Sequence, residues 1–207
     1  IIYTIILLVL SNVTLANSDS DSTDNKHQWT GKLNLLDFAF FSTPHASAGI
    51  EFLPADKNLG IELEAGYIYR DADVKERASG FRFAQNTHFY LNAGKPLRHA
   101  ISLGIYYQKS KTSTPFVFDS ETRGFAHKEY RDGLLSKQRY GLSVSYKLNA
   151  FITNKIMIEN TFGFGGSYFG SETPANSTQR DVRNGISYAN NEIMPNIFGK
   201  VKLAYLF

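Results

Sequence analysis

The sequence predicts an all-β fold, an eight-stranded antiparallel up-and-down transmembrane β-barrel, on three observations. Apolar and polar residues alternate in segment after segment from Lys32 onward, and no window after Ala16 sustains the i, i+3, i+4, i+7 face of a helix. Most of these segments are 9 to 14 residues long, longer than the about five or six of soluble sheets and close to what a tilted strand needs to cross a bilayer. The connections alternate between short and long, a segregation for which a soluble barrel has no physical reason.

The strands follow in order. The first, 32–41 (KLNLLDFAFF), changes phase at Leu35 and Leu36, which a bulge would explain. The second is 45–53 (HASAGIEFL). In the third, 59–70, Ile61, Leu63, Ala65, Tyr67 and Tyr69 alternate with Gly60, Glu62, Glu64, Gly66 and Arg70. The fourth, 80–92, sets Phe81, Phe83, Thr87, Phe89 and Leu91 against Arg82, Asn86, His88 and Asn92. The fifth, 99–111, sets Ile101, Leu103, Ile105 and Tyr107 against Ser102, Gly104, Tyr106 and Gln108. The sixth, 137–149, sets Tyr140, Leu142, Val144, Tyr146 and Leu148 against Gly141, Ser143, Ser145 and Lys147. The seventh, 155–168, and the eighth, 197–207, complete the set, with Asn160 on the apolar side of the seventh as an exception. In a lipid-embedded barrel the apolar sets face hydrocarbon and the Gly, Ser and charged sets face the lumen.

Short turns at PADKN, GKPLR and AFITN oppose long connections at DADVKERAS, Thr112 to Ser136 and Phe169 to Asn196, while Ser42 to Pro44 is short where this scheme expects a loop. The long connections are expected outside the cell. They mix aromatics (Phe116, Phe118, Phe125, Tyr130, Tyr188) with charges, a composition that suits a surface protein partner and equally suits solvated strand extensions.

Ahead of the barrel, Ile1 to Leu10 is too short an apolar run for a bilayer-spanning helix, and Thr14 and Ala16 place small residues before a cleavage point. Residues 1–16 are therefore expected to be a secretory signal peptide, truncated because no basic residue precedes the run. The acidic stretch that follows makes 17–31 a disordered polar lead-in and 32–207 the barrel.

The final strand places Val201, Leu203 and Tyr205 at alternate positions before Phe207. This resembles the C-terminal signature of bacterial outer-membrane barrels, and the resemblance implies recognition by the barrel-assembly machinery. The mature region resembles the OmpA and OmpX type of barrel in architecture. The segments KLNLL, P..S.GIEF and IELEAGY look more narrowly like a small-barrel family common in Bacteroidota. The resemblance implies a bacterial outer membrane location and contact with its lipid. The peptidoglycan-binding domain that follows the barrel in many OmpA-like proteins is not expected here.

The chemistry is thin. The absence of Cys excludes disulfides, thiolate metal sites and a thiol nucleophile, and a net charge of +3 lacks the basic footprint of a nucleic-acid binder. Thr161 to Tyr168 (TFGFGGSY) is Gly-rich but lacks the Lys and following helix of a phosphate loop. His27, His45, His88, His99 and His127 form no metal-binding spacing, so neither metal nor other cofactor is implied. Barrel lipid A deacylases carry an H.S on the membrane-facing surface; the H.S of His45 and Ser47 stands at a strand start without that family's surrounding residues, and alternation turns it to the polar side, away from lipid. Trp29 is followed by Gly31, the reverse of the lipocalin G.W start. The inward sets supply Glu51, Glu62, Glu64 and Glu159 against Arg82, Arg139, Lys147, Lys200 and Lys202, with His88 beside the glutamates. These charges are expected to pair across a narrow lumen and close it, whereas Lys32 is left open by the phase break. The sequence thus points to a non-enzymatic barrel with a structural or surface-interaction role. A lipid-modifying barrel enzyme and a soluble lipocalin-like binder are the alternatives.

Overall fold

The computed structural model describes residues 28–40, 45–54, 58–70, 77–92, 95, 97–122, 125–172, 177–178 and 192–207. The expected signal peptide and the lead-in up to residue 27 lie outside the described residues, as do 71–76 of the connection after the third strand and Tyr188. The strands are β1 (Gln28–Phe40), β2 (His45–Leu53), β3 (Leu59–Arg70), β4 (Arg77–Tyr90), β5 (Leu97–Thr122), β6 (Phe125–Phe151), β7 (Ile156–Glu172), β8 (Ser177–Thr178) and β9 (Glu192–Leu206). Eight of them pair in the order β4-β3-β2-β1-β9-β7-β6-β5, and the β4–β5 pairing closes the ring, while β8 is a two-residue addition to the outer edge of β5. Every pairing is antiparallel, and because each of the eight strands has a neighbour on both sides the ring has no edge strand.

The phase change at Leu35 and Leu36 is a register shift between Asn34 and Leu36 on the β1–β9 ladder, as a bulge requires. β1 begins at Gln28, ahead of the expected Lys32, and β9 begins at Glu192, ahead of the expected Ile197. In the sequence, Pro195 argues against the earlier start of β9. It is accommodated because the β1–β9 pairing ends at Phe40–Ile197, so among the described residues Pro195 has a strand partner only on β7.

The larger correction concerns Thr112 to Ser136, expected as a loop. β5 and β6 continue as a ladder to Thr122 and Phe125. β4 leaves β5 at Thr112 and β7 leaves β6 at Ser136, so the hairpin runs on with only β8 beside it, at Val117 and Phe118, among the described residues. At about 3.3 Å per residue, the stretch from Thr112 to Thr122 carries it about 33 Å past the barrel wall. Alternation is enforced where one face of a sheet meets an apolar medium and the other a polar one; a ribbon clear of the barrel has no such division, so its sequence reads as loop. An epitope inserted between Thr122 and Phe125 is expected to be labelled on intact cells and one after Lys95 is not. Labelling at Lys95 with protection at the hairpin would reverse the orientation.

The wall is inside out relative to a water-soluble barrel. Leu33, Leu63, Phe83, Leu103, Leu142 and Phe164 are 50–66% exposed on the outer face, whereas Glu62, Lys147 and Glu159 inside are at most 1% exposed. Such a surface suits hydrocarbon, with Tyr67, Tyr69, Tyr107, Tyr140 and Tyr168 gathered toward the hairpin end. At the short-turn end two small apolar clusters are buried, Leu53–Tyr90–Ala100 and Phe151–Met157–Ala204.

Candidate functional site: the charged lumen

Inward alternation aims the charged positions of β1, β2, β3, β6, β7 and β9 at one another, and register decides which meet. Glu51 and Glu62 are direct cross-strand partners, a like-charge pair that would repel. Lys32 resolves it: its Nζ lies 2.6 Å from Glu51, 2.6 Å from Glu159 and against Glu62. Lys147 lies 3.0 Å from Glu51 and 3.1 Å from Glu159. Lys202 touches Glu62 and stands 2.7 Å from Glu64, which also takes Lys200 at 2.9 Å. Four ammonium groups thus interleave with four carboxylates, each in contact with at least one of the opposite sign. Desolvating one ion costs several kcal/mol, and only a balanced arrangement offsets it.

Polar neighbours complete the layer. The Tyr90 hydroxyl donates to Glu51 at 2.6 Å, and Lys147 Nζ lies 5.2 Å from the centre of the Tyr90 ring. His88 Nε2 is 3.1 Å from Glu62 and its Nδ1 is 2.7 Å from the Ser102 hydroxyl. Glu62 can only accept, which assigns the ring proton to Nε2 and leaves Nδ1 to accept from Ser102. A hydroxyl, an imidazole and a carboxylate in line suggest an activated nucleophile. Here all three are buried among the strands, with Ser102 2% exposed. Glu51, Glu62 and His88 could also supply three metal ligands lying within 4.8 Å of one another. The cation position beside both carboxylates is taken by the Lys32 ammonium.

Toward the hairpin end the lumen changes character. The Arg82 guanidinium lies 3.9 Å from the centre of the Tyr106 ring, and that of Arg139 lies 5.5 Å from Phe169. Among the described residues Arg82 is matched with a ring rather than a carboxylate, where the sequence alone suggested an opposite charge. Between this layer and the lysines a cavity of about 20 Å³ remains, bordered by Asn86, Ser143 and Thr161, room for about one water. Elsewhere in the lumen, His45 Nε2 is 3.7 Å from Glu64, and both His45 and Ser47 are buried inside the barrel.

On the outer face of β9, Leu203, Tyr205 and Phe207 are exposed and Val201 is half-buried, with the Tyr205 and Phe207 rings 5.2 Å apart. The Phe207 amide donates to the Trp29 carbonyl at 3.0 Å, extending the β1–β9 seam. Sequence reasoning left out Tyr90 and Ser102 from the network and could not place Lys32. The alternation upstream of the bulge, counted from Thr30 through Lys32 to Asn34, is the signal that puts Lys32 inside.

No protein-family model matches the chain, and no curated protein matches it. Among solved structures, a major outer membrane protein from Thermus thermophilus superposes with a TM-score of 0.53 at 13% identity, over 88% of this chain and 100% of that one. Neisserial surface protein A superposes with a TM-score of 0.42 at 9% identity, over 87% and 94% of the two chains. The N-terminal β-barrel domain of OprF from Pseudomonas aeruginosa gives a TM-score of 0.42 at 10% identity, over 87% and 97%. The likeness to the Thermus protein is one of fold: this chain is an all-β, closed eight-stranded antiparallel barrel of the outer-membrane type.

Proposed function

We propose that the chain is a non-enzymatic barrel of the bacterial outer membrane, whose lumen is closed by its own side chains and whose β5–β6 hairpin is the surface-interaction element. The observation that carries this reading is the opposition of an apolar outer wall to a lumen filled by interleaved lysines and glutamates. An eight-stranded barrel is only just wide enough for its own side chains. Three successive fillings support closure here: the apolar clusters at the short-turn end, the ionic layer, and Arg82 stacked on Tyr106. A chain of this kind contributes a rigid scaffold in the membrane and a long ribbon above it.

Purified protein in a planar bilayer is expected to give no steady conductance. Ohmic single-channel steps in the wild type would mean that the charges line a pore, and the proposed closure would fall. Removing Arg82 and Tyr106 together is expected to leave the bilayer silent, because the ionic layer beneath them is independent of their stack.

A further inference from the structure

We propose that the outer wall carries a seat for one anionic, phosphate-bearing lipid, its acyl chains in a recess across β4 to β7 and its phosphate at Lys109 and Lys111, with phosphatidylglycerol as the probe of that charge. The inference rests on the membrane reading above and names the class of lipid that the wall would select.

Outward positions on β5 run Leu103, Ile105, Tyr107, Lys109 and Lys111, in steps of about 7 Å. The order is hydrocarbon, interface, charge. At the Tyr107 level, register aligns Phe83 of β4, Tyr140 of β6 and Tyr168 of β7 into an aromatic shelf, and the Tyr107 and Tyr140 rings are 4.9 Å apart. Tyrosines at this depth place their hydroxyls among lipid headgroups.

One step below the shelf, register aligns Gln85, Ile105, Leu142 and Gly166. Gly166 faces outward, and a Cβ there would meet no atom within 4 Å. A convex wall carrying large side chains throughout would have no recess. This one has two adjoining stretches of about 880 and 720 Å³, both bordered by these four residues. Both are open along the wall, a shape for chains that keep one side toward the surrounding hydrocarbon. The recess is almost wholly apolar and suits acyl chains; Gln85 offers its amide to an ester or hydroxyl oxygen on them.

The charge is on the correct side of the shelf. Lys109 is half-buried between its register partners Phe81 and Gln138, and Lys111 is exposed between Ser79 and Ser136. Neither lysine is in an ion pair among the described residues. A headgroup with net negative charge complements the pair, whereas a zwitterionic one carries its own cation into the same space.

The test is native mass spectrometry of the intact barrel, released from a zwitterionic detergent after incubation with phosphatidylglycerol or with phosphatidylcholine of identical chains. One phosphatidylglycerol is expected to be retained, with phosphatidylcholine about thirty-fold weaker, since each surface lysine contributes about 1 kcal/mol toward an anionic lipid. K109Q/K111Q is expected to reduce phosphatidylglycerol to the phosphatidylcholine level. Gly166→Phe, which fills the notch, is expected to weaken both lipids. Raising salt on the wild type should erase the preference, which keeps the test open if a variant does not fold. Equal retention of the two lipids, or a lipid-free dimer that would make a second copy the occupant of the recess, overturns the seat. Failure of the wild type to insert into bilayers would instead overturn the membrane reading.

Discussion

Glu62→Ala is expected to lower the unfolding free energy of the barrel by about 3 kcal/mol, toward the lower end of the 3–5 kcal/mol range for breaking a buried ion pair. Glu62 is fully buried and takes Lys32, Lys202 and His88 together. Removing it leaves one positive charge in excess in a layer of low dielectric. The loss is moderated because Lys32 keeps Glu51 and Glu159 at 2.6 Å and Lys202 keeps Glu64 at 2.7 Å. The double variant Glu62→Met with Lys202→Met restores neutrality and fills the space with hydrocarbon. It should recover most of the loss, since replacing a buried pair by apolar groups of similar volume is often neutral or stabilising. Urea unfolding in lipid vesicles, followed through the sole tryptophan, Trp29, measures both variants. A Glu62→Ala barrel within about 0.5 kcal/mol of wild type would mean that water screens the layer and that the lumen is open.

The network also shows which parts of the molecule were legible in the sequence. Alternation in β3, β6 and β9 places Glu62, Lys147 and Lys202 inward without any knowledge of the fold, because each strand separates lipid from lumen. It gives sidedness only. Which charges meet depends on register, and the contact between Lys32 and Glu159, distant in the sequence, exists because β9 lies between β1 and β7. The stacking of Arg82 on an aromatic ring was equally hidden, since alternation says nothing about depth along the lumen. The hairpin escaped notice for a different reason. Pro115 and the run DSETRG look like loop, yet the β5–β6 ladder continues through Pro115 opposite Asp132. Beyond the ring the two strands are held by their cross-strand ladder, with β8 beside them among the described residues, and the hydrophobic pattern used to find strands has no medium there to impose it.

The opposition between wall and lumen leads to a prediction that separates a membrane barrel from a soluble ligand-binding one. Leu103→Arg is expected to destabilise the protein in lipid vesicles by about 2–4 kcal/mol, the cost of a cation near the bilayer midplane on a barrel's lipid face. Leu103 is 50% exposed, faces outward and lies between its register partners Thr87 on β4 and Val144 on β6. Its position is central on the part of β5 that belongs to the ring, well below Lys109 on the same outward row, too deep for a substituted arginine to reach the headgroups without bending the bilayer toward it. Were the barrel soluble, the same side chain would sit at a half-exposed surface, where substitutions usually fall within about 0.5 kcal/mol. Leu103→Ala serves as the control, because it removes the leucine without adding charge. Urea midpoints in vesicles of matched thickness give the difference between the two variants. An arginine barrel no less stable than the alanine one would place the outer wall in water and remove hydrocarbon as the reason for its composition.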